Sequence, residues 1–392
     1  MRQIFIFIMV FAFSWTSRAA EPPALKKIDQ NGIIIEYLPK IEPLAQKVHE
    51  WLSGYLKQHS FDLNRDFFKL KENQSAIIQY ISKQLAMEES SQDMIQSMTE
   101  FFLKFQNAGS AIPNIRHIQL WLKKDLKHYL DNGGNIPGYK YTPGPDGENQ
   151  LSMEQDIHQS GSKPDEPIPI QPYLFPLILK SENSDEYFTE AQENLAEMHQ
   201  QFQQMSSSMA GLIMMLSIQL IIQDEMRPPM RFFNWFTRGA AGYMTAQILN
   251  DHVSVDSAKY FLESYSIEPY LKIAPRIHLV KWIGGEKNKQ SRESKEEIVK
   301  ENARCAFSIY EIMGLVQRHG QDCLPKIFAD LRKKAPVKKT DDSKKPEEFS
   351  GQDLVEDLDL LLNAIQSATG EDFRRRLLQY SQIEDPTRKK DA

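Results

Sequence analysis

The residues most able to do chemistry in this chain are its nine histidines, and they are scattered: His49, His59, His117, His128, His158, His199, His252, His278 and His319. Two imidazoles one helical turn apart, with a glutamate beside the first, form the H-E-x-x-H arrangement that binds zinc and activates water. His49-Glu50 begins such a pattern, but its fifth position is Ser53, and no complete copy occurs. Asp251-His252 follows a predicted helix end and reads as a surface pair rather than a catalytic dyad. Ser206-Ser207-Ser208 lacks the G-x-S-x-G elbow of a hydrolase nucleophile and reads as the polar approach to a buried helix. Gly133-Gly134 lacks the rest of a phosphate loop. Cys305 lies early in one predicted helix and Cys323 just past the turn that ends it. Positions so placed do not face each other in a helix pair, so two free, partly buried thiols are expected.

These groups must be positioned by a chain of 392 residues, 41% hydrophobic and 26% charged, with 21 Pro, 18 Gly and 2 Cys. At roughly 150 residues per domain, two to three domains are expected. The apolar fraction excludes a disordered protein, and two cysteines exclude a disulfide-built scaffold. A formal charge of −6 argues against a nucleic-acid partner bound by counterion release.

Residues 1–19 read as a secretory signal. Arg2 is the positive start, Ile4 to Phe13 is an unbroken apolar run, and Ser17-Arg18-Ala19 puts small residues on either side of a cleavage-site arginine. The competing reading is a retained anchor, but the run falls short of the roughly 20 residues a membrane helix needs. Cleavage would remove two arginines and no acids, moving the formal charge from −6 to −8. An exported protein, periplasmic or extracellular, without a membrane anchor after cleavage, is expected.

Along the chain, Ile33 to Tyr37 predicts a strand, followed by a helix with Leu44, Val48, Trp51, Leu52, Tyr55 and Leu56 on one face. Residues 64–107 predict further helix. A strand over Ile115 to Leu122 runs into a helix from Lys123 to Leu130, stopped by Gly133-Gly134. The Pro- and Gly-rich stretch 137–172 predicts loop with a strand or two, one at Gln150 to Met153. Then Phe188, Ala191, Leu195, Met198, Phe202, Met205, Met209, Leu212 and Leu216 recur in strict alternation of three and four, predicting one buried face of a long helix. From Met209 to Ile222 the segment is apolar nearly all round, which places it centrally in a domain rather than across a membrane. A helix from about Asn234 to Leu249 follows Pro228-Pro229. Another is capped by Ser294 and Glu297, buries Ala306, Ile309, Tyr310, Met313 and Val316, and closes at Gly320. Pro325 marks the next helix start, and helices from Leu354 to Ile365, capped by Ser350, and from Asp372 end the chain.

Three stretches resemble the gluzincin (peptidase MA-like) metallopeptidases, including secreted bacterial members. His117-Ile118-Gln119-Leu120, Gly133-Gly134 and Ile136-Pro137-Gly138-Tyr139 look like that family's edge strand, helix and "GY" loop. Phe233-Asn234-Trp235-Phe236-Thr237-Arg238-Gly239-Ala240-Ala241-Gly242-Tyr243 is similar to its W-x-x-E-G-x-A-x-Y helix. Ala303 to Gly320 with Leu324, then Ala364 to Phe373 with Thr369-Gly370, resemble its closing helices. The likeness covers roughly 115–380, and the Trp-to-Tyr motif is its most specific part. It implies an α+β, mainly α, zincin-type domain with a small sheet and a long central helix. The expected partition is a signal at 1–19, a strand–helix segment at 20–110, the gluzincin-like domain at 111–332, a charged linker at 333–349, and C-terminal helices at 350–392 packing on that domain.

In active relatives H-E-x-x-H supplies two zinc-binding imidazoles and a general base, and the Glu of the second motif completes the site. The matching window here reads Ser217, Ile218, Gln219, Leu220, Ile221, and the Glu position is Arg238, so no zinc and no other cofactor is expected. The resemblance implies a catalytically inactive homologue with a peptide- or protein-binding or structural role in the cell envelope. Arg238, with Trp235 and Tyr243, is the candidate ligand-binding set. Arg238 either pairs with an internal acid such as Glu225 or Asp224 or receives a ligand carboxylate. The alternative is a hydrolase or other enzyme using a non-zinc site in the same cleft. A third expectation is an assembly protein using the long stripe between subunits.

Overall fold

The computed structural model describes residues 23–59, 65–87, 116–137, 139–143, 149–153, 174–226, 230–277, 279, 295–334 and 351–380. The signal segment, the helix expected beyond residue 87, both serine caps (Ser294 and Ser350) and most of the charged linker lie outside them. The fold is mainly helical with a small mixed sheet. It forms two compact units, each built from two stretches of chain: 1–63 with 107–203, and 64–106 with 204–392. The first unit runs across position 110, because the N-terminal strand belongs to the same sheet as the strand at 117, while 332 and 349 fall within the second unit.

In the first unit, β1 (Lys26–Gln30) and β2 (Ile33–Tyr37) form an antiparallel hairpin. Its turn is Asn31-Gly32, with φ of 56° and 71°, the primed two-residue turn that matches strand twist. β2 then pairs in parallel with β3 (His117–Leu122), and β3 in parallel with β6 (Phe175–Leu179). β3 is thus an inner strand, not the edge strand expected of His117 to Leu120. Its residues from Ile118 onward are buried on both faces, as inner parallel strands are. α1 (Glu42–Gln58) lays Ala45, Val48, Leu52 and Leu56 into a core shared with Ile33, Ile35, Leu120 and Leu177. α4 (Lys123–Asp131) ends at Gly133, whose φ is +82°. β4 (Tyr139–Pro143) and β5 (Asn149–Met153) make a separate antiparallel pair.

α5 (Tyr187–Asp224) contributes its residues up to Gln203 to the first unit and those from Gln204 to the second. Ala191, Leu195 and Met198 are buried as the stripe predicts. Beyond Phe202 the expectation fails: Met205, Met209, Leu216 and Leu220 are 41%, 39%, 42% and 62% exposed. The helix instead buries Ser206, Ser207, Ala210, Ile213, Met214, Ile218 and Ile222. With apolar residues on every side of this segment, neighbouring helices cover one face and leave another as an apolar ridge. α5 is the one helix, among the described residues, long and apolar enough to cross a membrane, and most of that stretch is buried within the fold.

The second unit also holds α2 (Arg65–Glu72), α3 (Gln74–Gln84), α6 (Asn234–His252), α7 (Val255–Glu263), α8 (Lys295–His319), α9 (Cys323–Lys334), α10 (Gly351–Thr369) and α11 (Phe373–Leu378). α6, not the Met209–Ile222 segment, is buried nearly all round. Its Gly239, Ala240, Ala241, Gly242 and Ala246 leave room for neighbours on each side. A Cβ on Gly239 would lie 2.6 Å from the Ser308 carbonyl oxygen, and one on Gly242 2.4 Å from Ile309 Cγ1. On α8, Ala306, Ile309 and Val316 are buried as expected, while Tyr310 is exposed because α6 meets the Ser308–Ile309–Ile312 side.

Gly239→Ala should therefore destabilise the protein by about 1–3 kcal/mol despite alanine's better helix propensity. Gly314→Ala, which meets only the flexible Arg318 guanidinium at 3.0 Å, should be neutral or stabilising by up to about 1 kcal/mol. Chemical denaturation midpoints read both.

Candidate functional site

Arg238 is the one partly exposed residue between Phe233 and Ala246 on α6. Gly239, next to it, brings α8 close enough for Arg238 Nη1 to donate to Glu301 Oε1 at 3.2 Å. The acid it meets is thus Glu301 on α8. Glu225, the residue just past the end of α5, instead accepts from Arg332 on α9 at 2.6 Å. Glu301 also lies 3.5 Å from Arg304 Nη1, which donates to Glu297 at 3.1 Å, while Arg304 Nε donates to the Ile277 carbonyl at 2.8 Å. The result is two acids shared between two arginines at the α6–α8 crossing, with no histidine among them.

Cys305 sits beneath this network. Burial pushes its thiol up to about 11, with the Arg238 guanidinium pulling the other way. Burial likewise raises the neighbouring Tyr265 hydroxyl, with Cys305 adding to the rise and Arg238 opposing it. A thiol held protonated is not a nucleophile. Both cysteines are free, as expected, and both are buried rather than partly so.

The other predicted site positions are structural. Ser217 donates to the Ile213 carbonyl within α5, and Ile218 and Ile221 are core. Trp235 is fully buried, stacked on Phe373 with ring centroids 6.0 Å apart. Tyr243 is buried against Tyr80, and burial is the main cause raising both hydroxyls. Of the candidate ligand-binding set, Trp235 and Tyr243 are thus enclosed by the fold and only Arg238 is partly exposed. The specific Trp-to-Tyr motif is here a packing motif: its glycines admit α8, its tryptophan receives α11.

Several polar clusters escaped sequence reasoning. Asp66, almost fully buried, accepts from Ser207 at 2.6 Å, Ser257 at 2.7 Å and Arg65 at 2.9 Å. Ser207 is thus a buried donor to Asp66 rather than part of a polar approach. Glu311, also buried, accepts from Arg376, from Tyr380 and from Gln379 at 3.2 Å. In the sheet, Glu36 Oε2 accepts from Gln119 at 2.8 Å and its Oε1 lies 3.3 Å from His117 Nε2, while Gln119 accepts from the Trp121 indole at 3.1 Å. The alternation of β2 and β3, in register Glu36 to Gln119, carried that signal once parallel pairing was known. His49, the start of the zinc look-alike, is buried with Nε2 3.2 Å from the Gln30 carbonyl oxygen. Asp251 takes a bond from Asn250.

Two predictions follow the electrostatics. Arg238→Gln removes the cation that lowers the Cys305 thiol, so ultraviolet thiolate titration in a Cys323→Ala background should show ionisation at still higher pH. Being a partly exposed pair, its loss should cost no more than about 1 kcal/mol. In the first unit, burial and the nearby His59 hold the His199 imidazole below its ordinary 6.5. The unfolded chain then binds the proton more readily, so stability present above 6.5 is lost as pH falls through the folded value. Unfolding midpoints between pH 7 and 5 should fall for the native chain and fall less for His199→Gln.

Among the described residues, no group of three or more His, Cys, Asp or Glu is placed to hold a metal ion. Compared with protein-family models, curated proteins and solved structures, the chain matches none.

Proposed function

We propose that this is an exported, non-catalytic protein that works by binding another protein surface in the cell envelope, on a scaffold resembling the gluzincin peptidases in sequence. The observation that carries the binding role is the apolar ridge of α5. Met205, Met209, Leu216 and Leu220 are exposed in line, and no Asp, Glu, Lys or Arg occurs between Glu197 and Asp224. Scattered exposed apolar side chains are ordinary, but an aligned and uncharged row of them marks a contact surface. The non-catalytic reading is supported by Ser217, Ile218, Ile221 and Arg238 standing where zinc ligands and base would be. Arg238 meets Glu301 at 3.2 Å, a cation–acid contact where a zinc ligand would stand.

The test is elemental analysis of the purified mature chain after dialysis against trace zinc, together with digestion of an unfolded protein substrate. No stoichiometric zinc and no cleavage are expected. One zinc per chain with zinc-dependent cleavage overturns the reading.

A further inference from the structure

Resting on that binding reading, we infer that the α5 ridge is covered by the same ridge of a second copy, the two helices running antiparallel about a two-fold axis near Leu212. The spacing names the kind of occupant. Phe202, Met205, Met209, Leu212 and Leu216 continue the alternation of three and four that begins at Phe188. An α-helix of 3.6 residues per turn drifts from a 3.5-residue repeat, so such a seam stays in line only against another helix. Up to Met198 the chain itself covers that seam; from Met205 the same seam faces outward.

The charge names the partner. A two-fold contact sets identical surfaces together, and this chain carries −6, so self-association needs a face where like charges do not meet. The ridge is such a face. It also lacks the Lys and Arg flanks with which an interfacial helix holds anionic headgroups. Beside it, Ser208 donates to the Tyr260 carbonyl at 3.1 Å and accepts from Ser264 at 2.8 Å.

From Met205 to Leu220 the ridge is about 22 Å long at 1.5 Å per residue. A single helix pair of that length covers less than the roughly 800 Å² per partner of a standard complex, so a dissociation constant on the order of micromolar is expected. Antiparallel pairing sets Met209 of one copy against Leu216 of the other and leaves Leu212 near the axis.

Sedimentation of the full mature chain up to about 200 µM tests this, with variants whose melting temperature and circular dichroism match the native chain. A monomer–dimer equilibrium is expected. Leu216→Glu alone and Met209→Lys alone should each weaken it tenfold or more, and an equimolar mixture of the two variants should dimerise again. A monomer throughout, or a dimer indifferent to both substitutions, overturns the inference, as does failure of the mixture to recover. Leu216-dependent binding of a monomer to phosphatidylcholine–phosphatidylglycerol vesicles would assign the ridge to a membrane instead. None of these outcomes bears on zinc or proteolysis, so the dimer can fail while the non-catalytic reading stands.

Discussion

The close approach of two helices is the constraint on which the second unit depends. At the α6–α8 crossing, Gly239 offers its missing side chain to the Ser308 carbonyl, and Gly242 offers its own to Ile309. Contact this close fixes α8 along α6 to within a fraction of a turn. That places Glu301 opposite Arg238 and slides Cys305 beneath both. The same α8 carries Glu311, where α11 is held through Arg376 and Tyr380, and α11 returns Phe373 to Trp235 on α6. Each link is ordinary in strength; together they depend on two residues having no Cβ.

The buried acids share a pattern that bears on chemistry. Asp66 and Glu311 each accept from three side chains, and Glu36 meets two donors across a strand boundary. Donors gathered around a carboxylate in this way replace the water that burial removes. These acids join elements distant in sequence, so their work is to specify packing.

What was legible in the sequence were the local elements: the helix after Glu42, the stop at Gly133, the helix from Asn234, and the closing glycines at 320 and 370, all at positive φ where a helix ends. The Asn31-Gly32 hairpin was equally local, and its turn signal was there to read; with it β1 would have been found. What was not legible depended on neighbours. Whether His117 to Leu122 is an edge or an inner strand is decided by β6, more than fifty residues on. The α5 stripe shows which residues could be buried together, not where the covering helices stop. Tyr310 looked inward by period and faces out because glycines on another helix chose the adjacent face. For Arg238, proximity along the chain favoured Glu225 as its acid while space brings Glu301 to it.

The interleaving of the two units has a consequence for the order in which the chain can mature. Glu36 and Gln119, joined across β2 and β3, lie 83 positions apart, and the stretch between them includes residues of the other unit. Closing so long a loop costs entropy before any strand contact repays it. The sheet also cannot gain its last strand until residues 175–179 have been made, by which time α2 and α3 already wait for helices still to come. Neither unit can therefore complete itself while the ribosome is still on the first half of the message. A chain built this way stays open until more than half of it has been made.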